Sequence, residues 1–365
     1  MHVAGRFSEA LEYWRQVLSI EPNFGMTLCN RAQIFAEYAG VMEDPSDHAL
    51  LLWAAHKEAS AALASAAVYT DKQDDLARRS VKVLKEKIEA SLDVVGIAAD
   101  DPLSRSIKTP TKDEGDYRLW CLENYLFLNL FNDIGPYSIA ANDSLELPVV
   151  RVDSPDIFLS FFEQIKQEFV SARWFLYEGL TGKKPHFSDK DVFLQVTDPR
   201  PVLGLPIEKL KAAYRISYSL FDKIAVFLGS YMAVGVPRDE LTFRSIWRVA
   251  ENGPFRAEFD PTVNWGLCAL YSVSKEVFAK AEGRVEDPCT SRLAEIADNI
   301  GRGYLRVSLS ESQTIPPDDL ALTVSRSQLE HMALQVHKLA RSALLYLSIG
   351  IGFEERRREV SRPQR

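Results

Sequence analysis

Ile207, Leu210, Tyr214, Tyr218, Phe221, Ile224, Ala225, Leu228 and Met232 recur three and four residues apart along one unbroken stretch. On an α-helix these positions share a face, so the stretch predicts a helix of several turns with a wide apolar stripe. A second stripe, Met332, Val336, Leu339, Ala343 and Leu347, predicts a last long helix from about Thr323 to Ile351. Neither face can stay open to water. Together they require a helical bundle, and they offer more apolar surface than one bundle uses, which predicts a homodimer.

Other segments carry the same period. Ser154 to Gly179 predicts a long helix with Ser154 as N-cap and Pro155 in the first turn. Shorter helices are expected over Arg238–Ala250 and Val263–Ala281. Residues 117–135, YRLWCLENYLFLNLFNDIG, read as a largely buried helix with Glu123, Asn124, Asn129, Asn132 and Asp133 embedded in it. Such a cluster is either a structural hydrogen-bond network or part of a site, because buried polar groups need partners. Residues 93–116 hold prolines and charges without a sustained period and are expected to link two domains.

Ahead of that linker, GRFSEALEYWRQVLSIEPNFGMTLCNRAQIFAEYAG at 5–40 resembles a tetratricopeptide repeat, matching at Gly5, Phe7, Ala10, Leu11, Leu18, Pro22, Asn23 and Ala32. One repeat cannot bury its own face. Helices over Ser46–Ala67 and Asp71–Leu92 are expected to complete the stack, with a longer repeat array as the alternative. The expected organisation is repeat-like helices over 1–92, a linker over 93–116, a helical region over 117–204, a bundle over 205–352 and a basic disordered tail over 353–365.

A net charge of −8 argues against wholesale coating of nucleic acid, so any RNA contact must be focal. The longest apolar runs, Ile224–Val236 and Ala343–Phe353, fall short of the roughly 20 residues that span a bilayer. The first residues carry no signal-peptide core. A cytoplasmic protein without a membrane partner is expected. The four cysteines, Cys29, Cys121, Cys268 and Cys289, are widely spaced, as for buried free thiols in a reducing compartment. No metal or cofactor is expected, and Gly182-Lys183-Lys184 does not complete a phosphate-loop pattern.

The densest polar site lies in SRLAEIADNIGRGYLRVSL, residues 291–309. Leu293, Ile296, Ala297 and Ile300 make one side of a helix, leaving Asp298, Asn299 and Arg302 on or near the other. Gly301 and Gly303 end it, and Tyr304, Leu305 and Val307 read as a short extended piece. A helix end flanked by Arg302 and Arg306 is either a phosphate site, with Asn299 beside it, or an ordinary helix stop with solvated arginines.

Four blocks, RLWCLENYLFLNLFNDIG at 118–135, YSLFDKIAVFL at 218–228, NWGLCALYSVSKEVF at 264–278 and KLARSALLYLSIGI at 338–351, resemble the HEPN superfamily, in a branch linked to tetratricopeptide repeats. The resemblance implies an all-α fold, a paired assembly and a metal-independent ribonuclease of toxin or defence type. Its active members use an Arg, four to six intervening residues and a His. The His moves protons at neutral pH, and the Arg meets charge building on the phosphate. The branch pattern, Arg-Asn-x-Leu-Glu-His-Lys-Tyr-Leu-Lys-Val, falls on ADNIGRGYLRV at 297–307, which puts Ala297 at the Arg position and Arg302 at the His position. A literal Arg-x-x-x-x-His occurs at Arg326 and His331. Two readings stand: an RNA-cutting enzyme with Arg326 and His331 as its pair, or a degenerate module that binds RNA or a protein partner, with Asn299, Arg302 and Arg306 as contacts.

Overall fold

The computed structural model describes residues 5–70, 74–93, 103–104, 107–148, 150, 155–182, 186–192, 201–250, 253–259, 263–278, 292–309 and 320–360. The chain divides into two compact units, Met1–Glu146 and Leu147–Arg365, later than the composition shift at 93–116. Both are helical.

The first unit holds α1 (Phe7–Ile20), α2 (Gly25–Ala39), α3 (Pro45–Leu63), α4 (Asp74–Ser91), α5 (Lys112–Glu123) and the single turn α6 (Phe131–Ile134). From α1 to α4 each helix packs on the next, and α2 also meets α4. Small buried residues, Cys29 and Ala32 of α2 with Ala59 and Ala62 of α3, share one core cluster with Val81 of α4 and let the backbones approach. Asp44 caps α3 by accepting the amides of Ser46 at 2.8 Å and Asp47 at 3.0 Å.

The single helix expected over 117–135 is broken. It ends at Glu123, and Tyr125 turns left-handed at φ 60°. Asn132 accepts the Phe127 amide at 3.0 Å and donates to the Leu122 carbonyl at 3.1 Å, while Asn129 accepts the Phe131 amide at 2.9 Å. Short polar side chains offer the backbone these alternatives to the helical ladder. The Asp133 carboxylate accepts the hydroxyls of Ser8 and, at 2.8 Å, Tyr38. Arg15 donates to the Asp133 carbonyl at 3.0 Å. The embedded polar residues thus tie this segment to α1 and α2.

The second unit holds α7 (Pro155–Thr181), α8 (Leu205–Tyr231), α9 (Trp265–Val277), α10 (Leu293–Gly301), β1 (Tyr304–Ser308), β2 (Ala321–Ser325) and α11 (Arg326–Val360). Ser154, the expected cap of α7, lies outside the described residues. Both stripes face inward: Ile207, Leu210, Tyr214, Phe221, Ile224 and Leu228 on α8 are buried, as are Met332, Val336, Leu339, Ala343 and Leu347 on α11. The centre of the bundle is α11, which packs against α7, α8 and α9 and is buried at every residue from Leu339 to Ile351. At its crossing with α9, a Cβ on Gly266 would come within 2.6 Å of the Gly350 nitrogen, so only glycine fits there. Beside it the buried Asn264 caps α9 through the Leu267 amide at 3.2 Å and donates to the Gly350 carbonyl at 2.9 Å.

Three features depart from expectation. Residues 321–325 form a strand, paired in parallel with β1 in the register Tyr304↔Ala321 to Ser308↔Ser325, so the last helix starts at Arg326. Instead of a helix over Arg238–Ala250 there is a 3₁₀ turn at Arg238–Glu240 followed by turns, because Asp222 takes the Phe243 amide at 3.0 Å and Ser245 and Thr242 bond locally. Finally, α11 runs through Val360 where a disordered tail is expected. Glu354 and Glu355 hold it, accepting from Asn264 at 3.0 Å and from the Tyr231 hydroxyl at 2.6 Å.

Candidate functional site

The helix-to-strand stretch of 291–309 is built as its residues suggest. Leu293 and Ile296 are buried, and the Tyr214 hydroxyl donates to the Leu293 carbonyl at 2.8 Å, pinning α10 to α8. After the turn at Arg302 and Gly303, Leu305 and Val307 point inward while Tyr304 is exposed. The Val307 carbonyl also accepts the amide of Val202 at 2.7 Å, which brings the chain just ahead of α8 alongside β1.

These contacts leave an open cleft of about 260 Å³, with Lys211, Ala212 and Arg215 of α8 on one side and Asn299, Gly303 and Tyr304 on the other. Lys211 bonds Glu208 at 2.9 Å. Arg215 is exposed and makes no hydrogen bond or ion pair among the described residues. Asn299 donates to the Glu295 carbonyl at 2.9 Å, one of its two amide hydrogens.

The other two expected anion contacts, Arg302 and Arg306, are not among the residues that line the cleft. The Arg302 side chain is 82% exposed and bonds the Asp298 carboxylate on its own helix. The Arg306 guanidinium sits 5.5 Å over the Tyr304 ring. Burial, then Asp222 and Asp298, raises the pKa of the nearby Tyr218 hydroxyl, so this phenol stays protonated.

Arg326 and His331 lie in the first turns of α11. Ser325 and Gln328 cap that end reciprocally: Ser325 Oγ accepts the Gln328 amide at 3.1 Å, and Gln328 Oε1 accepts the Ser325 amide at 3.0 Å. The start of the helix is therefore regular, and residues five apart project about 140° from one another. Arg326 Nε donates to Glu330 at 2.7 Å, and His331 is exposed. No bond joins the pair. His337 is fully buried, with Nδ1 2.9 Å from Ser217 Oγ and its ring stacked on Phe169 at 4.1 Å. Burial first, then Arg173, holds its pKa well below the usual histidine value.

Reading the sequence singles out Asn299 of the cleft but not Lys211 or Arg215. Their signal was a pair of cations four apart on the polar side of a strongly striped helix, which looks the same as a solvated face. Among the described residues no group of His, Cys, Asp and Glu is placed to hold a metal ion, and no helix is long and apolar enough to cross a membrane. Cys29 and Cys121 are buried and Cys268 is partly buried; Cys289 lies outside the described residues.

The sequence profile of one protein family, described as LA2681-like HEPN, matches residues 150–354. That span falls within the second unit, so the block at 118–135 is not part of it. No curated protein and no solved structure matches the chain.

Proposed function

The chain belongs to the LA2681-like HEPN family, whose membership suggests an RNA-related or nuclease-type function, and on that basis we propose that it targets RNA by binding rather than cutting. One observation carries this reading. Where the branch pattern has its proton-transferring His the chain has Arg302, on an open turn beside a cleft that carries two more cations, Lys211 and Arg215. A guanidinium stays protonated at neutral pH and cannot act as the base, but it suits a phosphate. In this reading the literal pair plays no part: Arg326 is bonded to Glu330, and no bond joins it to His331.

In this reading the N-terminal helices act as the tetratricopeptide-repeat unit that recruits a protein partner. Both apolar stripes are used up inside one bundle, so the homodimer of this reading rests on the paired assembly that the resemblance implies, as does the toxin or defence setting.

The test is incubation of purified protein with single-stranded RNA in EDTA across a range of pH. Binding without cleavage is expected, weakened by Arg302→Ala with Arg306→Ala and unchanged by His331→Ala. Cleavage lost in His331→Ala would instead assign the Arg326–His331 enzyme. Light scattering at micromolar concentration tests the dimer.

A further inference from the structure

The cleft between α8 and the α10–β1 turn is smaller than the roughly 300–1,000 Å³ typical of a pocket that encloses a whole small molecule. It is also open on one side, so a ligand would be held by one part and leave the rest outside. Its walls specify the part. Arg215 presents a guanidinium fork that is unengaged among the described residues. Lys211, one turn away on the same face of α8, is bonded among the described residues to Glu208, three residues earlier and also in the cleft wall, a partly exposed pair with which a phosphate would compete for the ammonium. Tyr304, which carries the Arg306 guanidinium 5.5 Å over its ring, lines the cleft from the β1 side. Two cations and a tyrosine lining one cleft match the two halves of one nucleotide: a phosphate for the cations and a base for the aromatic side chain.

We propose that this cleft is a single-nucleotide subsite for one unit of a single-stranded RNA, its phosphate held by Arg215 and Lys211 and its base stacked at Tyr304. The proposal rests on the RNA-targeting reading above and adds the residues that grip one unit. The strand is favoured over a free nucleotide because the cleft encloses so little. Arg302 and Arg306 adjoin in sequence the lining residues Gly303 and Leu305, and would meet neighbouring phosphates of a strand. Gly303 keeps that turn narrow, since a Cβ there would lie 2.7 Å from the Asn299 side-chain oxygen.

The experiment measures binding of the full chain to a fluorescent single-stranded RNA of about twelve nucleotides, 2′-O-methylated throughout so that it cannot be cut. Inorganic phosphate and adenosine 5′-monophosphate serve as competitors. Arg215→Ala with Lys211→Ala should weaken binding at least ten-fold and flatten the salt dependence by about 0.7 in log–log slope, the share of one phosphate on a single strand. Tyr304→Ala should weaken it about five-fold or more with the slope unchanged, as loss of stacking predicts. Arg356→Ala removes an exposed arginine from the far end of α11 and should have no effect. Circular dichroism melting confirms that each variant is folded. Wild-type binding that survives Arg215→Glu, an equal loss in Arg356→Ala, or no binding by the wild type would overturn the proposal. Micromolar competition by the free monophosphate alone would overturn the assignment to a strand. Because the probe cannot be cut, discovery of a cleaving activity would refute the binding-only function while leaving this outcome readable.

Discussion

Ser217 Oγ lies 2.9 Å from Nδ1 of His337, in a core where the imidazole also stacks on Phe169. A neutral ring is required there, because burial and then Arg173 both disfavour the imidazolium. The folded pKa lies below the unfolded one, so in the window beneath about pH 6.5 the unfolded chain binds the extra proton. Stability therefore falls as pH drops through that window, by at most about 1.4 kcal/mol per pH unit from this group. Urea midpoints at pH 7.5 and 5.5 should differ more for the wild type than for His337→Gln. Equal differences would remove His337 as the cause.

Gly266→Ala should destabilise the second unit by about 1–3 kcal/mol, because the new methyl meets the backbone of Gly350, which cannot rotate away. Gly301→Ala has open space around its Cβ and should be neutral or slightly stabilising. The pair of melting temperatures checks the helix contact; equal shifts would refute it.

Asp133→Ala should cost about 2–3 kcal/mol by leaving the Ser8 and Tyr38 hydroxyls without their carboxylate. Asp133→Asn keeps an acceptor oxygen and should cost less. Calorimetry on both variants reads the order, and a larger loss for Asn would count against the network.

Ser325→Ala should cost about 1 kcal/mol, since the hydroxyl caps the Gln328 amide. Amide hydrogen exchange would show faster opening in the first turn of α11 with the buried stretch from Leu339 unchanged. Uniform acceleration along the helix would refute a local role for the cap.

The helices that carry the bundle were legible because burial imposes a period: the α8 and α11 stripes could be read one residue at a time. The α10–β1 junction was legible for a different reason, two glycines at the point where the period stops. β2 was not, because a parallel partner is set by a distant strand and Ala321–Ser325 shows no alternation of its own. The break at Tyr125 escaped because Leu122, Leu126 and Leu128 sustain a helical pattern that Asn129, Asn132 and Asp133 override from further along the chain. Of the cleft, Asn299 lies in a segment whose ends are marked in the sequence. Arg215 and Lys211 acquire meaning only when α10 is laid across α8.

The burial of α11 on three sides also fixes an order of events on the ribosome. Faces of α7, α8 and α9 that close against α11 have no complete partner until residue 351 has emerged, although α7 and α8 are made long before. At about 5–20 residues per second, that delay is on the order of ten seconds for α8. Throughout it α8 lacks the cover that α11 gives it in the finished bundle. For the second unit, the newly made chain thus exposes apolar helix surface that the finished bundle covers, the condition under which incomplete chains are open to aggregation.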